Sequence, residues 1–121
     1  MRKTTEISSA ELEVMQVLWR AGRPMKIQEV CDTLANNKWK YNTVGTLLLR
    51  MAEKGAVTSE KSGRTIYYTA VLDKDEYTDL QTKSLISKLY NGSVKELAVS
   101  LFKSKEMTKE DIDDIRKMFD L

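Results

Sequence analysis

Polar and cationic side chains that could recognise a nucleic acid cluster between residues 38 and 64. At about 100° per residue, a predicted helix over residues 42–54 presents amide and hydroxyl groups on one face, together with a guanidinium. Amides and hydroxyls bond to base edges in the major groove, and cations pair with phosphates or with guanine. The sequence therefore predicts a DNA interface formed by Lys40, Asn42, Thr43, Thr46, Arg50, Lys61 and Arg64.

The same predicted face also holds Gly45, Leu49 and Glu53. An outward Leu49 has two explanations, which are contact with a thymine methyl group and ordinary exposure of an apolar side chain to water. Lys38 and Lys54 flank the helix and would add positive charge beside a phosphate backbone. Each lysine alone is also explained as a solvated surface charge. The joint placement of the cations around one helix and one hairpin is what indicates DNA.

Catalytic chemistry is poorly represented in this chain. It contains no His, which removes His-based nucleophile systems, His general bases and nearly every catalytic zinc site. The five glycines are scattered singly, so no glycine-rich phosphate cradle is present. Carboxylate-only catalysis stays open in principle, but the acidic residues lie mainly on predicted solvated helix faces. We expect no enzymatic activity, no cofactor and no metal site.

Length and charge narrow the class of protein further. The 121 residues suffice for one small domain with an appendage. Residues 1–70 carry 11 basic and 7 acidic side chains, whereas residues 71–121 carry 9 and 11, so positive charge is concentrated in the first part. No apolar stretch approaches the length of a membrane span, and the start lacks the apolar core of a secretory signal. With a single Cys31, predicted as a small buried hydrophobe, these features favour the cytoplasm.

Three helices and a hairpin are predicted to position the DNA interface. Ser8 and Glu11 form a capping box that starts the first helix, and Ala21-Gly22 ends it. The second helix has apolar residues at positions 27, 30, 31 and 34 and closes at Asn36-Asn37. The third has them at 44, 47, 48 and 51 and stops at Gly55. Two short strands, 56–61 and 64–69, follow around a Ser62-Gly63 turn. This order predicts a winged helix-turn-helix over residues 1–71.

Residues 72–121 are predicted to be helical and to mediate dimerisation. The first helix begins at an Asp73–Glu76 capping box and ends at Asn91-Gly92, and the last begins at Thr108. Their apolar side chains are too few to offset the entropy of ordering fifty residues, so we expect a two-fold partner to cover them. The predicted dimerisation residues are Tyr77, Leu80, Leu89, Val94, Leu97, Leu101, Phe102, Ile112, Ile115 and Phe119. The fold class is thus mainly α with a small β-hairpin.

Three segments carry a resemblance to a known family. The stretches ISSAELEVMQVLW, NTVGTLLLRMAEKG and EKSGRTIYY, taken in this order, resemble the penicillinase-repressor (BlaI/MecI/CopY) family of winged-helix repressors. The resemblance continues through the C-terminal helices. It implies a homodimeric repressor that binds a palindromic operator of the TACA/TGTA type. One departure is Gly45, where related proteins tend to carry a longer, often polar residue.

The resemblance also implies a route of release from DNA. Related repressors are inactivated when a membrane β-lactam sensor triggers proteolysis of an Asn-Phe bond in the helix that matches residues 94–103. The aligned bond here is Ser100-Leu101, so the dipeptide is changed. A copper-responsive branch carries C-terminal cysteines, which this chain lacks. Two alternatives stay open, namely a repressor of this family that answers another signal and a winged helix that docks a protein.

Overall fold

The computed structural model describes residues 6–34 and 39–119, which form six helices and a small three-stranded antiparallel sheet. In chain order the elements are α1 (Ser9–Ala21), β1 (Met25–Lys26), α2 (Ile27–Thr33), α3 (Tyr41–Lys54), β2 (Val57–Ser62), β3 (Thr65–Ala70), α4 (Lys74–Leu89), α5 (Val94–Lys103) and α6 (Lys109–Phe119). The mainly α fold class with a β-hairpin is confirmed. The predicted close of α2 at Asn36-Asn37 lies outside the described residues.

Local capping sets the ends of α1 as predicted. The Ser8 hydroxyl accepts from the backbone N–H of Glu11 at 3.1 Å, and the Glu11 carboxylate accepts from the N–H of Ser8 at 2.9 Å. At the other end, Gly22 adopts φ 64° and its N–H bonds to the carbonyl of Leu18. Both termini are therefore satisfied by residues within one helical turn, which is why the sequence sufficed to locate them.

The sheet contains one strand that the sequence did not reveal. Its strand order is β1-β3-β2, with Met25 opposite Tyr68 and Ser62 opposite Thr65. β1 is only two residues long, too short to show a periodic pattern. The last pair, Ser62 and Thr65, makes Gly63-Arg64 the hairpin turn, one residue later than predicted. Gly63 has φ 65°, as the first position of the primed hairpin turns requires.

The core of the N-terminal part is built from the inner faces of α1, α2 and α3 and the adjoining strands. The largest side chains that are almost fully buried are Met15, Leu18, Leu48 and Met51. The predicted i, i+3, i+4, i+7 stripe of α3 lies in this cluster in full, since Val44, Leu47, Leu48 and Met51 are all at most 7% exposed. Burial of that stripe fixes which side of α3 faces outward.

The chain divides into two compact units, Met1–Tyr77 and Thr78–Leu121. The first unit extends past β3 because Trp19 of α1 donates from Nε1 to the carbonyl of Leu72 at 2.8 Å. Tyr77, in the first turn of α4, packs its ring 6.2 Å from that of Trp19. Residues 72–77, which the sequence assigned to the second region, thus belong to the first unit. The division of roles between DNA binding and dimerisation stays a prediction.

The second unit holds the rest of α4 together with α5 and α6. The cap Ser93 starts α5 by accepting from the N–H of Glu96 at 3.1 Å, and Thr108 and Asp111 form a reciprocal capping box before α6. Neither α5 nor α6 buries a single residue. None of the helices in residues 6–34 and 39–119 is long and apolar enough to cross a membrane.

Candidate nucleic-acid interface

The outward face of α3 carries polar side chains around the exposed Leu49, as the sequence predicted. Burial of the apolar stripe leaves Asn42, Thr43, Thr46 and Arg50 exposed. Lys40, the residue before the helix, is also exposed and adopts an extended conformation at the N-cap. The helix ends at Gly55, which has φ 86°. These elements present four polar side chains and a flanking cation from one rigid helix, an arrangement that can enter a major groove.

The hydroxyl of Thr46 has a defined hydrogen-bonding role. It donates to the backbone carbonyl of Asn42 at 3.0 Å. With its proton committed to the helix, the hydroxyl oxygen still has lone pairs that can accept a hydrogen bond. Adenine N6 and cytosine N4 are the donors that the major groove offers to such an acceptor. Thr46 is therefore suited to bases with an exocyclic amino group.

Gly45 differs from its predicted place on the outer face. It is half-buried, and a Cβ atom at this position would lie 3.4 Å from Cδ1 of Ile27 in α2. The helical-wheel angle placed Gly45 near the edge of the outward face, and the packing of α2 against that flank turns the edge inward. Position 45 accordingly serves helix packing, and its missing side chain removes no outward group from the centre of the face.

The wing carries the remaining predicted cations. Lys61 lies near the end of β2, opposite Ile66, and Arg64 occupies the second position of the hairpin turn. Both side chains are exposed, as is Glu60 beside them. The hairpin holds Arg64 in its turn and Lys61 close to the turn, where both cations can meet the phosphate backbone. Seven predicted DNA-binding residues are thus all exposed in the first unit, on α3, before it, or at the wing.

Lys54 is bound within the protein. Its Nζ lies 2.6 Å from the Glu11 carboxylate and donates to the carbonyl of Glu6 at 2.7 Å. Burial raises the pKa of Glu11, but the hydrogen bonds from Lys54 and Ser8 outweigh it, so the pKa lies below its ordinary value. Lys54 therefore joins α3 to the start of α1. Lys38, the other flanking lysine, lies outside the described residues.

Other sequence predictions concern Cys31 and metal ligands. Cys31 is buried, and this burial, followed by the negative charge of Asp32, raises the pKa of the thiol above its ordinary value. A raised pKa keeps the thiol protonated and unreactive at neutral pH. In residues 6–34 and 39–119, no three His, Cys, Asp or Glu side chains are grouped to hold a metal ion.

One exposed aromatic residue at the start of α3 is not among the DNA-binding residues predicted from the sequence. Tyr41, the first residue of α3, is 52% exposed and offers a phenol hydroxyl beside Lys40. An aromatic residue just before a run of outward polar positions was the signal, but it reads equally well as a residue of the core. Only the burial of the α3 stripe shows that Tyr41 faces solvent.

The predicted dimerisation residues are mostly exposed in the second unit. Leu97, Ile112 and Ile115 are half-buried, while the most exposed are Leu80, Leu89, Val94, Leu101, Phe102 and Phe119, at 47–68%. The structure differs from the expectation at Tyr77, which is 8% exposed and packs on Trp19 in the first unit. Ser100 and Leu101, the candidate cleavage residues, lie within α5, and Ser100 Oγ bonds to the hydroxyl of Tyr90 at 3.2 Å.

Comparison with known proteins identifies the family of the chain. The model of the penicillinase repressor family matches residues 7–120. The penicillinase repressor of Bacillus licheniformis is 28% identical over 99% of this chain and 94% of its own length. The methicillin resistance regulatory protein MecI of Mammaliicoccus sciuri is 25% identical over 96% of this chain and 94% of its length.

Two solved structures resemble 64% of the chain. The DNA-binding domain of the repressor BlaI is 40% identical with a TM-score of 0.55, covering 64% of this chain and 94% of that domain. The monomeric form of Bacillus licheniformis BlaI, solved in complex with the blaP half-operator, is 40% identical with a TM-score of 0.52 over the same shares. The family match spans nearly all of the sequence, and the chain therefore belongs to the penicillinase repressor family.

Proposed function

We propose that this protein is a transcriptional repressor that binds operator DNA through its winged helix. The single observation that carries the proposal is the exposed polar side chains of α3, in a chain that is 40% identical over 64% of its length to a repressor solved on a half-operator. Membership of a repressor family and similarity to a DNA-binding domain also support a function in DNA binding and not in catalysis. Because an operator is part of the chromosome or a plasmid, we place the protein in the bacterial cytoplasm.

The exposed residues divide into two roles in this proposal. Those on α3 meet base edges in the major groove, where Asn42 and Thr46 form hydrogen bonds and Arg50 pairs with guanine or phosphate. Thr43 stands beside them on the same helix. Lys40 before α3, and Lys61 and Arg64 on the wing, neutralise phosphates without reading sequence. Positioning and specificity thus come from different elements of one unit.

The test compares one substitution from each role. Thr46→Ala should weaken binding to a matched operator by about 1–3 kcal/mol and leave binding to unrelated duplexes nearly unchanged. Arg64→Ala should weaken binding to all duplexes alike and reduce the salt slope by about one unit. Binding is measured by fluorescence anisotropy over a series of salt concentrations.

A matched control exists for the threonine substitution. Thr82 on α4 donates to the carbonyl of Thr78 at 2.9 Å, the same local bond that Thr46 makes on α3. Thr82→Ala should leave operator affinity unchanged. If Thr46→Ala and Arg64→Ala both produce equal losses on every duplex, α3 is not the element that reads sequence. A weak salt dependence of wild-type binding would favour a protein partner instead.

We further propose that the protein acts as a homodimer on a palindromic operator. The support is the exposed apolar surface of the second unit, where α5 and α6 bury no residue within the chain. A two-fold partner covers such a surface and places two copies of α3 one helical turn apart on DNA. Linking two binding units raises their joint affinity far above that of either one.

Release by proteolysis is the third part of the proposal. A break between Ser100 and Leu101 would divide α5 and remove part of the apolar surface while sparing the first unit. A membrane β-lactam sensor with protease activity is the expected partner, and cleavage requires local opening because α5 is helical at this bond. Cells exposed to a β-lactam should yield fragments ending at Ser100 by intact mass. Full-length repressor accompanied by derepression would assign release to another signal.

A further inference from the structure

Leu49 occupies the centre of the outward face of α3. At about 100° per residue it lies within about 30° of the direction opposite the buried stripe, beside Asn42 and Thr46. It is 57% exposed, a larger fraction than any other large apolar residue exposed in the described part of the first unit. Leu49 does not belong to the hydrophobic cluster to which Val44 and Leu48 contribute. Its side chain is therefore available to whatever α3 contacts.

We propose that Leu49 is a specificity-determining residue that packs against the 5-methyl group of a thymine. This inference rests on the proposed operator binding. The thymine methyl is the apolar group that the major groove displays, and an exposed leucine flanked by polar side chains is its complement. Burial of one methyl group corresponds to about a fourfold change in affinity.

Thr46 supports the same base-pair type from one turn away. Residues three apart on a helix are neighbours, so Thr46 and Leu49 face adjacent points of a groove. The Thr46 hydroxyl donates to Asn42 and offers its lone pairs to an exocyclic amino group. Adenine supplies that amino group and its partner thymine supplies the methyl. Together the two side chains thus favour an A·T base pair over the other pairs.

The experiment removes the methyl group from the DNA and the side chain from the protein. The probe is a short duplex that the purified full-length protein selects from a randomised pool. Each thymine is replaced in turn by deoxyuridine, which keeps the Watson–Crick pair and loses only the 5-methyl. Wild type should lose about fourfold in affinity at one thymine per half-site. The Leu49→Ala variant should bind the thymine duplex and the deoxyuridine duplex equally well when that thymine is the one replaced. Replacement of any other thymine should reduce its affinity by the same factor as for wild type.

Two variants serve as controls for the protein. Leu49→Met keeps a long apolar side chain and should restore most of the methyl dependence. Thr46→Ala should weaken binding but keep the deoxyuridine penalty. Since Leu49 is exposed, Leu49→Ala is expected to fold, and an unchanged thermal melt checks this.

The outcomes separate this inference from the proposed function. Equal deoxyuridine penalties for wild type and Leu49→Ala at every thymine would overturn the role of Leu49 while leaving operator binding intact. That result would be expected if Leu49 instead packs on another protein. Failure of wild type to select any sequence from the pool would overturn both.

Discussion

At the scale of single residues, the ammonium of Lys54 has a structural partner 43 positions away in the sequence. Its position at the end of α3 suggested a phosphate contact, yet Nζ is held by Glu11 and by the carbonyl of Glu6. Glu11 is the one charged residue among the described buried side chains, at 2% exposure. A buried carboxylate needs such a cation because the loss of hydration is otherwise uncompensated.

The Glu11–Lys54 pair predicts a pH-dependent contribution to stability. The pKa of Glu11 is lower in the folded protein than its ordinary value of 4.5, so protonation favours the unfolded chain. The contribution is complete above pH 4.5 and is lost as pH falls through the folded pKa. Glu11→Gln should lower the free energy of unfolding by about 1–3 kcal/mol at neutral pH and by less in acid. Urea denaturation at several pH values measures both.

Glu29 provides the control for that prediction. It accepts from the N–H of Lys26 at the start of α2, as Glu11 accepts from Ser8, but it lies at the surface with Arg23. Solvent screens this pair, so Glu29→Gln should have a smaller effect at neutral pH. A Glu11→Gln loss that is the same in acid as at neutral pH would show that the carboxylate charge is not what stabilises the fold.

At the scale of elements, α3 is both part of the core and the proposed recognition helix. Its inner face is fully committed to packing, and one flank meets Ile27 of α2 at Gly45. Substitution of the exposed Asn42, Thr43, Leu49 or Arg50 should leave this packing intact. Substitutions on the inner face of α3 should therefore change the stability of the first unit, and substitutions on its outer face should change DNA specificity.

Gly45→Ala should stabilise the first unit by roughly 0.5–1 kcal/mol. A mid-helix glycine costs about this much relative to alanine, and the added Cβ would meet the Ile27 side chain at an ordinary contact distance of 3.4 Å. Gly63→Ala is the opposing case, since φ at Gly63 is 65° and alanine there should destabilise the wing by about 1–2 kcal/mol. Thermal unfolding of both variants shows whether each substitution raises or lowers the stability of the protein. A loss of stability in Gly45→Ala would mean that α2 and α3 cannot admit one methyl group.

At the scale of the whole molecule, the two units differ in how completely they bury their apolar residues. The first has a core that includes residues from α1 to β3. Trp19 of this unit also hydrogen-bonds to the carbonyl of Leu72, just before α4. The second leaves leucine, valine and phenylalanine side chains exposed on all three of its helices. Such a surface is typical of a region that meets another chain.

The proposed dimer predicts a contrast between two neighbouring residues of α4. Leu80 is 56% exposed, and Leu80→Asp should raise the dimer dissociation constant at least about 100-fold, because a symmetric interface loses two buried leucines. The exposed Gln81 gains the same charge in Gln81→Asp, which should leave the dimer intact. Sedimentation velocity at micromolar concentration distinguishes them. A wild-type monomer with intact helices would contradict the prediction.

The sequence alone determined most of the helices, the hairpin, the buried stripe of α3 and the polarity of its outer face. These features depend on a period of 3.6 residues and on caps between residues three apart, as in Ser8 with Glu11 and Thr108 with Asp111. Interactions of this kind join residues only three or four positions apart, so a short stretch of sequence is enough to predict them.

Only the tertiary structure decided the contacts between residues distant in the sequence. Four features belong to this class: the pairing of the two-residue strand β1, the packing of Gly45 against α2, the ion pair of Lys54, and the contact of Tyr77 with Trp19. Trp19 and Leu72, for example, lie 53 positions apart. No periodic pattern links such positions, because their meeting depends on how helices and strands pack once formed.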